Sequence, residues 1–150
     1  MPHNFFPLST APAPYDIVWC RFPFVEDPGI PGPENHPGLI RQAFADQNGN
    51  PWVRVVYGTS VDPNRRGNQY FTVSKVSEMD ACGLYRATRF CFDRCMELPW
   101  AAEYFEPLRS SATPIIGHLT AYGIQILQVQ MSYYQRDRQA RTEDELPLGD

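Results

Sequence analysis

The sequence lacks the features that mark a membrane-spanning or exported chain. Its 150 residues contain no long uninterrupted apolar run, and the stretch before Pro7 has neither the basic start nor the apolar segment of a signal peptide. We therefore expect a cytoplasmic protein that does not associate with membranes. With 43% hydrophobic residues, the chain is long enough for one domain with a substantial core and too short for two.

Cysteine pairs with the spacing of a zinc site are also missing. The four cysteines, Cys20, Cys82, Cys91 and Cys95, form no Cys-x-x-Cys motif, and nothing suggests export. Reduced packing thiols are therefore predicted. Cys91 and Cys95 could bind a metal ion together with His118, but a fourth ligand is not apparent. We expect no metal ion and no cofactor.

A broad excess of positive charge is absent as well. The net charge of −4 argues against sequence-blind electrostatic attachment to nucleic acid. Four of the 17 acidic residues lie between Thr142 and Asp150, however, and the basic residues are almost all arginine. Arginine binds phosphate through a planar fork of donors and stacks on bases. The charge therefore does not exclude a narrow RNA-binding groove.

The sequence does contain a series of short apolar segments separated by turn signals. Polar turns are predicted at 46–51 and 62–68, where Asp, Asn, Gly and Pro cluster. Short strands between such turns predict a compact, strongly bent antiparallel sheet or small barrel. The predicted strands lie within 15–24, 34–40, 53–60, 70–74, 87–93 and 114–119.

Helical spacing of apolar residues begins at Thr120 and continues to Arg136. The apolar residues form two adjacent stripes and therefore a broad apolar face. This face predicts a C-terminal helix that packs against the sheet and against a partner. A second, shorter helix is predicted over 99–105, where Pro99 suits an early helical turn. The first apolar stripe is Tyr122, Ile126, Val129 and Tyr133, and the second is Ile124, Leu127, Met131 and Tyr134.

These patterns divide the chain into three parts. Residues 1–14 are predicted to be an irregular N-terminal arm, because the prolines of Ala11–Pro14 remove backbone donors and favour extended conformations. Residues 15–138 form the predicted domain. Residues 139–150 form a predicted acidic C-terminal tail.

The most informative segment is 53–60, an apolar strand that ends in a glycine and two hydroxyl residues. Gly58 is predicted to let the backbone leave the strand at an angle that presents Thr59 and Ser60 to a ligand. A plain turn is the alternative interpretation of the same residues.

The order of these segments resembles the PemK/MazF family of toxin–antitoxin endoribonucleases. Chains of that family open with a Gly-Asp-Ile-Val-Trp-like strand and continue through a Pro/Gly-rich loop to Arg-Pro-Ala-Leu-Val. A Thr-Ser or Thr-Thr pair then ends a strand, and an Ile-Gly-x-Leu strand precedes a helix. The corresponding segments here are 16–19, 28–33, 36–40, 59–60 and 116–119. The match covers 15–134 and implies a mainly β fold with a C-terminal helix, an SH3-like small barrel of the PemK/MazF/CcdB type, usually assembled as a homodimer.

The resemblance also implies a function. Enzymes of this family inhibit growth by cleaving single-stranded RNA without a metal ion, leaving a 2′,3′-cyclic phosphate, and a small antitoxin protein restrains them. Thr59 and Ser60 match the hydroxyl position of the family. His36, before Pro37, occupies the position of an arginine that contacts the scissile phosphate.

The change to histidine alters what this position can do. An imidazole with an ordinary pKa of about 6.5 can donate or accept a proton near neutral pH, but it cannot hold phosphate through two parallel donors. Another cation is then needed, and Arg89 is the first candidate because it follows Thr88 on a strand that the family places near its groove. Further RNA contacts are expected from Arg41, Arg65, Arg66, Glu34 and Asp62, of which the two acids are also possible general bases.

A second hypothesis is a non-catalytic SH3-like barrel that binds a protein or peptide in the same groove. The related CcdB toxins share the fold and act on gyrase, and a fold does not determine a function. His36, which could simply order the turn before Pro37, favours this alternative. The Thr59–Ser60 pair favours the ribonuclease.

Overall fold

The fold is an antiparallel sheet with two helices. The computed structural model describes residues 3–107 and 112–145. Its strands are β1 (Asp16–Cys20), β2 (His36–Ala45), β3 (Pro51–Thr59), β4 (Tyr70–Val73), β5 (Thr88–Pro99) and β6 (Ile115–His118). Its helices are α1 (Val76–Cys82) and α2 (Ala121–Glu145). The predicted mainly β fold with a C-terminal helix is confirmed.

The six strands follow the order β4-β5-β3-β2-β1-β6, and each pair of neighbours is antiparallel. Strands β4 and β6 are the two edges, so the sheet is open within the described residues and is not closed into a barrel. Shifts of register interrupt the pairing after Ile17, Ile40 and Val56. Such bulges bend a strand and increase its twist, which gives the sheet its curvature.

Each face of the sheet carries its own core. Because side chains alternate along a strand, adjacent residues such as Val55 and Val56 belong to different clusters. The first core is covered by α1 and α2, which contribute Cys82 and Leu127. The second core contains Trp100. Burial on both faces explains why these strands are continuously apolar instead of alternating between apolar and polar residues.

The N-terminal segment covers part of the second core. Its regular structure is one 3-10 turn over Leu8–Thr10 and a single bridge between Phe5 and Ala101. The ring of Phe6 lies 5.3 Å from that of Trp100. The segment is therefore irregular in backbone conformation but packed in place.

The residue before helix α2 is hydrogen-bonded to a carboxylate of α1. The backbone N–H of Thr120 donates to Glu78 at 2.8 Å, and the Thr120 hydroxyl donates to the other oxygen of the same carboxylate. The Thr120 hydroxyl oxygen also accepts from the N–H of Gly123 at 3.1 Å. A buried Glu78 thus satisfies donors at the start of α2, where a helix leaves its first N–H groups without partners.

Helix α2 is longer than predicted, because it continues to Glu145 through part of the predicted tail. Residues 146–150 of that tail lie outside the described residues, as do the first two residues of the predicted arm. No helix in the described ranges is long and apolar enough to cross a membrane.

The predicted helix over 99–105 is wrong. Strand β5 extends to Pro99, and the chain then turns, with the N–H groups of Tyr104 and Phe105 both donating to the carbonyl of Ala101. The aromatic residues here are buried in the second core, so tertiary packing and not helical periodicity explains their spacing. Helix α1 was not predicted, because seven residues are too few to show a helical pattern.

Candidate functional site

A cleft of about 380 Å³ lies where β2 begins, β3 ends and the loop between α1 and β5 passes. It brings together four of the predicted site residues, Glu34, His36, Thr59 and Ser60. The remaining lining residues are Trp19, Asn35, Pro37, Val61, Leu84, Tyr85, Arg86 and Thr88.

Strand pairing explains why His36 and Thr59 meet. Antiparallel pairing of Gly38 with Tyr57 brings the start of β2 beside the end of β3. At Gly58 an added Cβ would lie 2.7 Å from the Phe90 ring and 2.8 Å from the Pro37 carbonyl oxygen. Gly58 is therefore required by close packing inside the strand, whereas the sequence predicted a role in redirecting the backbone.

The imidazole of His36 lies near groups of opposite charge. Its Nε2 lies 3.9 Å from a Glu34 carboxylate oxygen, and its ring centroid lies 4.9 Å from that of Tyr57. The guanidinium of Arg94 sits on the same Tyr57 ring, 3.7 Å from its centroid. Burial lowers the pKa of His36 below its ordinary 6.5, Glu34 raises it and Arg94 lowers it. The neutral imidazole therefore predominates at pH 7 and can accept a proton.

The two hydroxyl residues have different surroundings. Thr59 is only 9% exposed, and its hydroxyl oxygen accepts from the N–H of Val61 at 3.1 Å. That contact fixes the oxygen and leaves the hydroxyl proton available to donate. Ser60 is exposed at the cleft. Thr59 can therefore offer a positioned donor, and Ser60 an adjustable one.

Arg89 does not line the cleft. Its side chain is buried, with Nε donating to the Asp62 carbonyl at 3.0 Å and a terminal nitrogen donating to the Val61 carbonyl at 3.2 Å. Its guanidinium also lies 4.4 Å from the Tyr70 ring centroid. Arg89 therefore holds the loop that follows Ser60, which makes it a positioning residue.

The other predicted RNA contacts also lie outside the lining of the cleft. Arg41 lines a separate cavity of about 180 Å³ and donates to the sulfur of Met131 at 3.4 Å. Arg65, Arg66 and Asp62 lie in the exposed or partly exposed loop after Thr59, where Arg65 approaches the Tyr70 ring at 5.7 Å.

Sequence reasoning missed the cation that does line the cleft. Arg86 is exposed there, and its guanidinium makes no ion pair with any residue that the structure describes. Tyr85 beside it is 86% exposed. Both residues follow α1, a helix too short to predict, in a loop without a motif. Trp19, which also lines the cleft, presents a buried indole N–H with no acceptor among the described residues.

A metal site from Cys91, Cys95 and His118 is not formed. The two cysteines lie on β5 and the histidine on β6, and β3, β2 and β1 separate these strands. Among the described residues, no group of three or more His, Cys, Asp or Glu side chains is arranged to hold a metal ion.

The chain matches no protein-family model and no curated protein sequence. The fold and the cleft are thus what characterise it: an open antiparallel sheet with an imidazole, two hydroxyls, a carboxylate and a guanidinium at one end, the guanidinium making no ion pair with the described residues. Such a set can move a proton and stabilise a developing negative charge on a phosphate.

Proposed function

We propose that this protein is a toxin-like, metal-independent endoribonuclease of the PemK/MazF type that cleaves single-stranded RNA in the cytoplasm. The observation that supports the proposal best is the meeting of His36, Thr59 and Ser60 in one cleft with Arg86. The order of segments along the chain supports it independently. In this proposal the sheet is an open variant of the SH3-like barrel, with β4 and β6 left as edges.

The proposed reaction needs no group beyond these side chains and the RNA. Neutral His36 accepts the proton of the 2′-hydroxyl, whose oxygen attacks the adjacent phosphorus. The bond from phosphorus to the 5′-oxygen breaks, and that oxygen takes a proton from solvent. The imidazolium releases the proton it accepted to solvent, which restores the neutral histidine. Arg86 and the Thr59 hydroxyl stabilise the charge on the phosphate oxygens, and Glu34 stabilises the imidazolium. The products are a 2′,3′-cyclic phosphate and a 5′-hydroxyl.

The first test uses a single-stranded RNA of mixed sequence in the presence of a chelator. The wild-type protein should cleave it and leave cyclic phosphate ends. The double variant Thr59→Ala, Ser60→Ala should cleave about a hundredfold more slowly, since removal of one such donor typically costs that much. Ser132→Ala, an exposed serine on α2, is the matched control and should leave the rate unchanged. Unchanged cleavage by the double variant would exclude the pair from the mechanism.

Variants of His36 distinguish three cases. If the histidine transfers the proton, His36→Ala should lose most of the rate together with its pH dependence. If the histidine replaces the family arginine without taking over its role, the wild type should be nearly inert. His36→Arg should then create or raise cleavage. If wild type and both variants are inactive at every pH, the enzyme proposal is wrong.

The type of protein proposed here also implies its partners. A PemK/MazF-type toxin is a homodimer and is restrained by a small antitoxin whose peptide occupies the same cleft. The exposed apolar stripe of α2 supports the homodimer, since Tyr122 and Val129 are 57% and 55% exposed.

The alternative function is a non-catalytic module that binds a protein or peptide in this cleft. Two observations favour it: His36 replaces the family arginine, and Trp19, Pro37 and Leu84 give the cleft an apolar part. Inactivity of all His36 forms, together with binding of a partner peptide at the cleft, would establish this alternative.

A further inference from the structure

The loop between α1 and β5 is anchored on its N-terminal side by the end of the helix. Gly83 adopts a left-handed conformation, with φ of 70°, and its N–H donates to the carbonyl of Asp80. The N–H of Leu84 donates to the carbonyl of Met79 at 2.9 Å, which completes the hydrogen-bond pattern of a Schellman motif. The Leu84 side chain is buried in the first core.

The same loop is anchored on its C-terminal side by the first residue of β5. Thr88 is 2% exposed, and its hydroxyl donates to the carbonyl of Arg86 at 3.0 Å. The backbone of Tyr85 and Arg86 is thus fixed at both ends, while both side chains are exposed at the cleft. A ring on a fixed backbone has few rotatable bonds, so it loses little conformational entropy when a ligand stacks on it.

The cleft has the size and the polar and aromatic lining that suit one nucleotide. Its volume of about 380 Å³ is at the low end of the range for small-molecule sites, about 300–1,000 Å³. His36 and Ser60 line the cleft together with Tyr85 and Arg86. A base that stacks on an exposed ring has to be free of a duplex stack, which favours a single strand.

We infer that Tyr85 and Arg86 form a nucleotide subsite of the cleft, in which the ring stacks on a base of single-stranded RNA and the guanidinium binds the neighbouring phosphate. The inference rests on the proposed function, because it takes RNA as the ligand of the cleft. It assigns the phosphate contact to Arg86 and gives Tyr85 a role in affinity for unpaired bases of any sequence.

Binding is measured with a single-stranded oligonucleotide whose 2′-hydroxyls are methylated, so that the attacking group is blocked and no cleavage occurs. Fluorescence anisotropy at several salt concentrations separates the two contacts. Tyr85→Ala should weaken binding at least about fivefold at every salt concentration, and Tyr85→Phe should bind like the wild type. Arg86→Ala should weaken binding and reduce the slope of log affinity against log salt by about 0.7, the value for one phosphate contact of a single strand.

Matched controls come from exposed residues outside the cleft lining. Phe24→Ala removes a ring that is 58% exposed, and Arg141→Ala removes an exposed arginine of α2. Both controls should bind like the wild type. Thermal melting of each variant checks folding, and exposed positions are expected to change stability by less than about 0.5 kcal/mol.

The outcomes separate this inference from the proposed ribonuclease. Loss of binding in Tyr85→Ala and Arg86→Ala, without cleavage of unmodified RNA by the wild type, supports the subsite and contradicts the ribonuclease. Cleavage by the wild type with unchanged binding in both variants overturns the subsite alone. If the wild type binds no oligonucleotide, or binds only a peptide at the cleft, both proposals are wrong.

Discussion

At the scale of single residues, His36 shows how the cleft tunes a proton acceptor. Burial and Arg94 lower its pKa, and Glu34 opposes them. Because the pKa is lower in the folded protein than in the unfolded chain, the unfolded chain binds the proton first as the pH falls. The contribution of His36 to stability is therefore fully present above pH 6.5 and declines as the pH falls below it.

The two charged neighbours of His36 should move its titration in opposite directions. Glu34→Gln removes a negative charge and should lower the His36 pKa further, whereas Arg94→Ala removes a positive charge and should raise it. NMR titration of the imidazole protons measures both shifts without relying on catalysis. His3 and His118 are internal references, and shifts of equal sign in the two variants would contradict this account.

Arg86 and Arg89 lie three positions apart in the sequence, but their removal should affect stability differently. Arg89→Ala leaves the carbonyls of Val61 and Asp62 without their donors and should cost about 1–3 kcal/mol of unfolding free energy. Arg86→Ala should change it by less than about 0.5 kcal/mol, because its side chain is exposed. Urea unfolding measures both. Equal losses would show that Arg86 is also structural.

Part of the site could be predicted from residue types and their order. A hydroxyl pair at a strand end and a histidine before a proline pointed to Thr59, Ser60 and His36, which do line one cleft. The choice between Arg86 and Arg89 could not be made from the sequence. It depends on which side chain turns toward the loop carbonyls, and spacing along the chain does not determine that direction.

At the scale of elements, the junction of α1 and α2 depends on one buried carboxylate. Glu78 accepts from both the backbone N–H and the hydroxyl of Thr120, at the start of the longest helix. Burial of the Cys82 thiol, together with the neighbouring Glu78 carboxylate, raises the pKa of Cys82 to about 12. The junction is therefore a closed structural site whose thiol stays protonated.

Removal of the Glu78 carboxylate should lower the stability of the fold. Glu78→Ala leaves a partly buried N–H without its acceptor and should reduce the unfolding free energy by about 1–3 kcal/mol. Glu26→Ala, at an exposed loop position, is the matched control and should have little effect. Circular dichroism during chemical denaturation reports the loss, and equal stability of the two variants would exclude the capping role.

Strands could be predicted more fully than helices. The six strands were predicted because β-branched and aromatic runs between turn signals depend on local chemistry. Bulges after Ile40 and Val56 could not be predicted, since they depend on which residue of the partner strand is opposite. The turn containing Trp100 and Phe105 was predicted to be a helix because Pro99 suits an early helical turn, but burial in the second core determines its structure.

At the scale of the whole molecule, α2 faces two environments. Leu127 and Tyr134 are buried against the sheet, whereas Tyr122, Ile126, Val129 and Tyr133 form a separate exposed stripe. Both stripes were predicted from helical spacing, but only the structure shows which of them the sheet covers. An exposed apolar stripe of several large side chains is typical of an interaction surface. In the proposed function the second copy of the chain covers it.

The last prediction concerns the oligomeric state of the protein. Sedimentation at micromolar concentration should show twice the chain mass of 17.2 kDa. Val129→Glu should convert the dimer to a monomer, because a charge in the middle of the apolar stripe would lose its hydration on association. Gln135→Glu adds the same charge to an exposed position of α2 away from the stripe and should leave the dimer intact. A wild-type monomer would contradict the homodimer and the role of α2 as its contact.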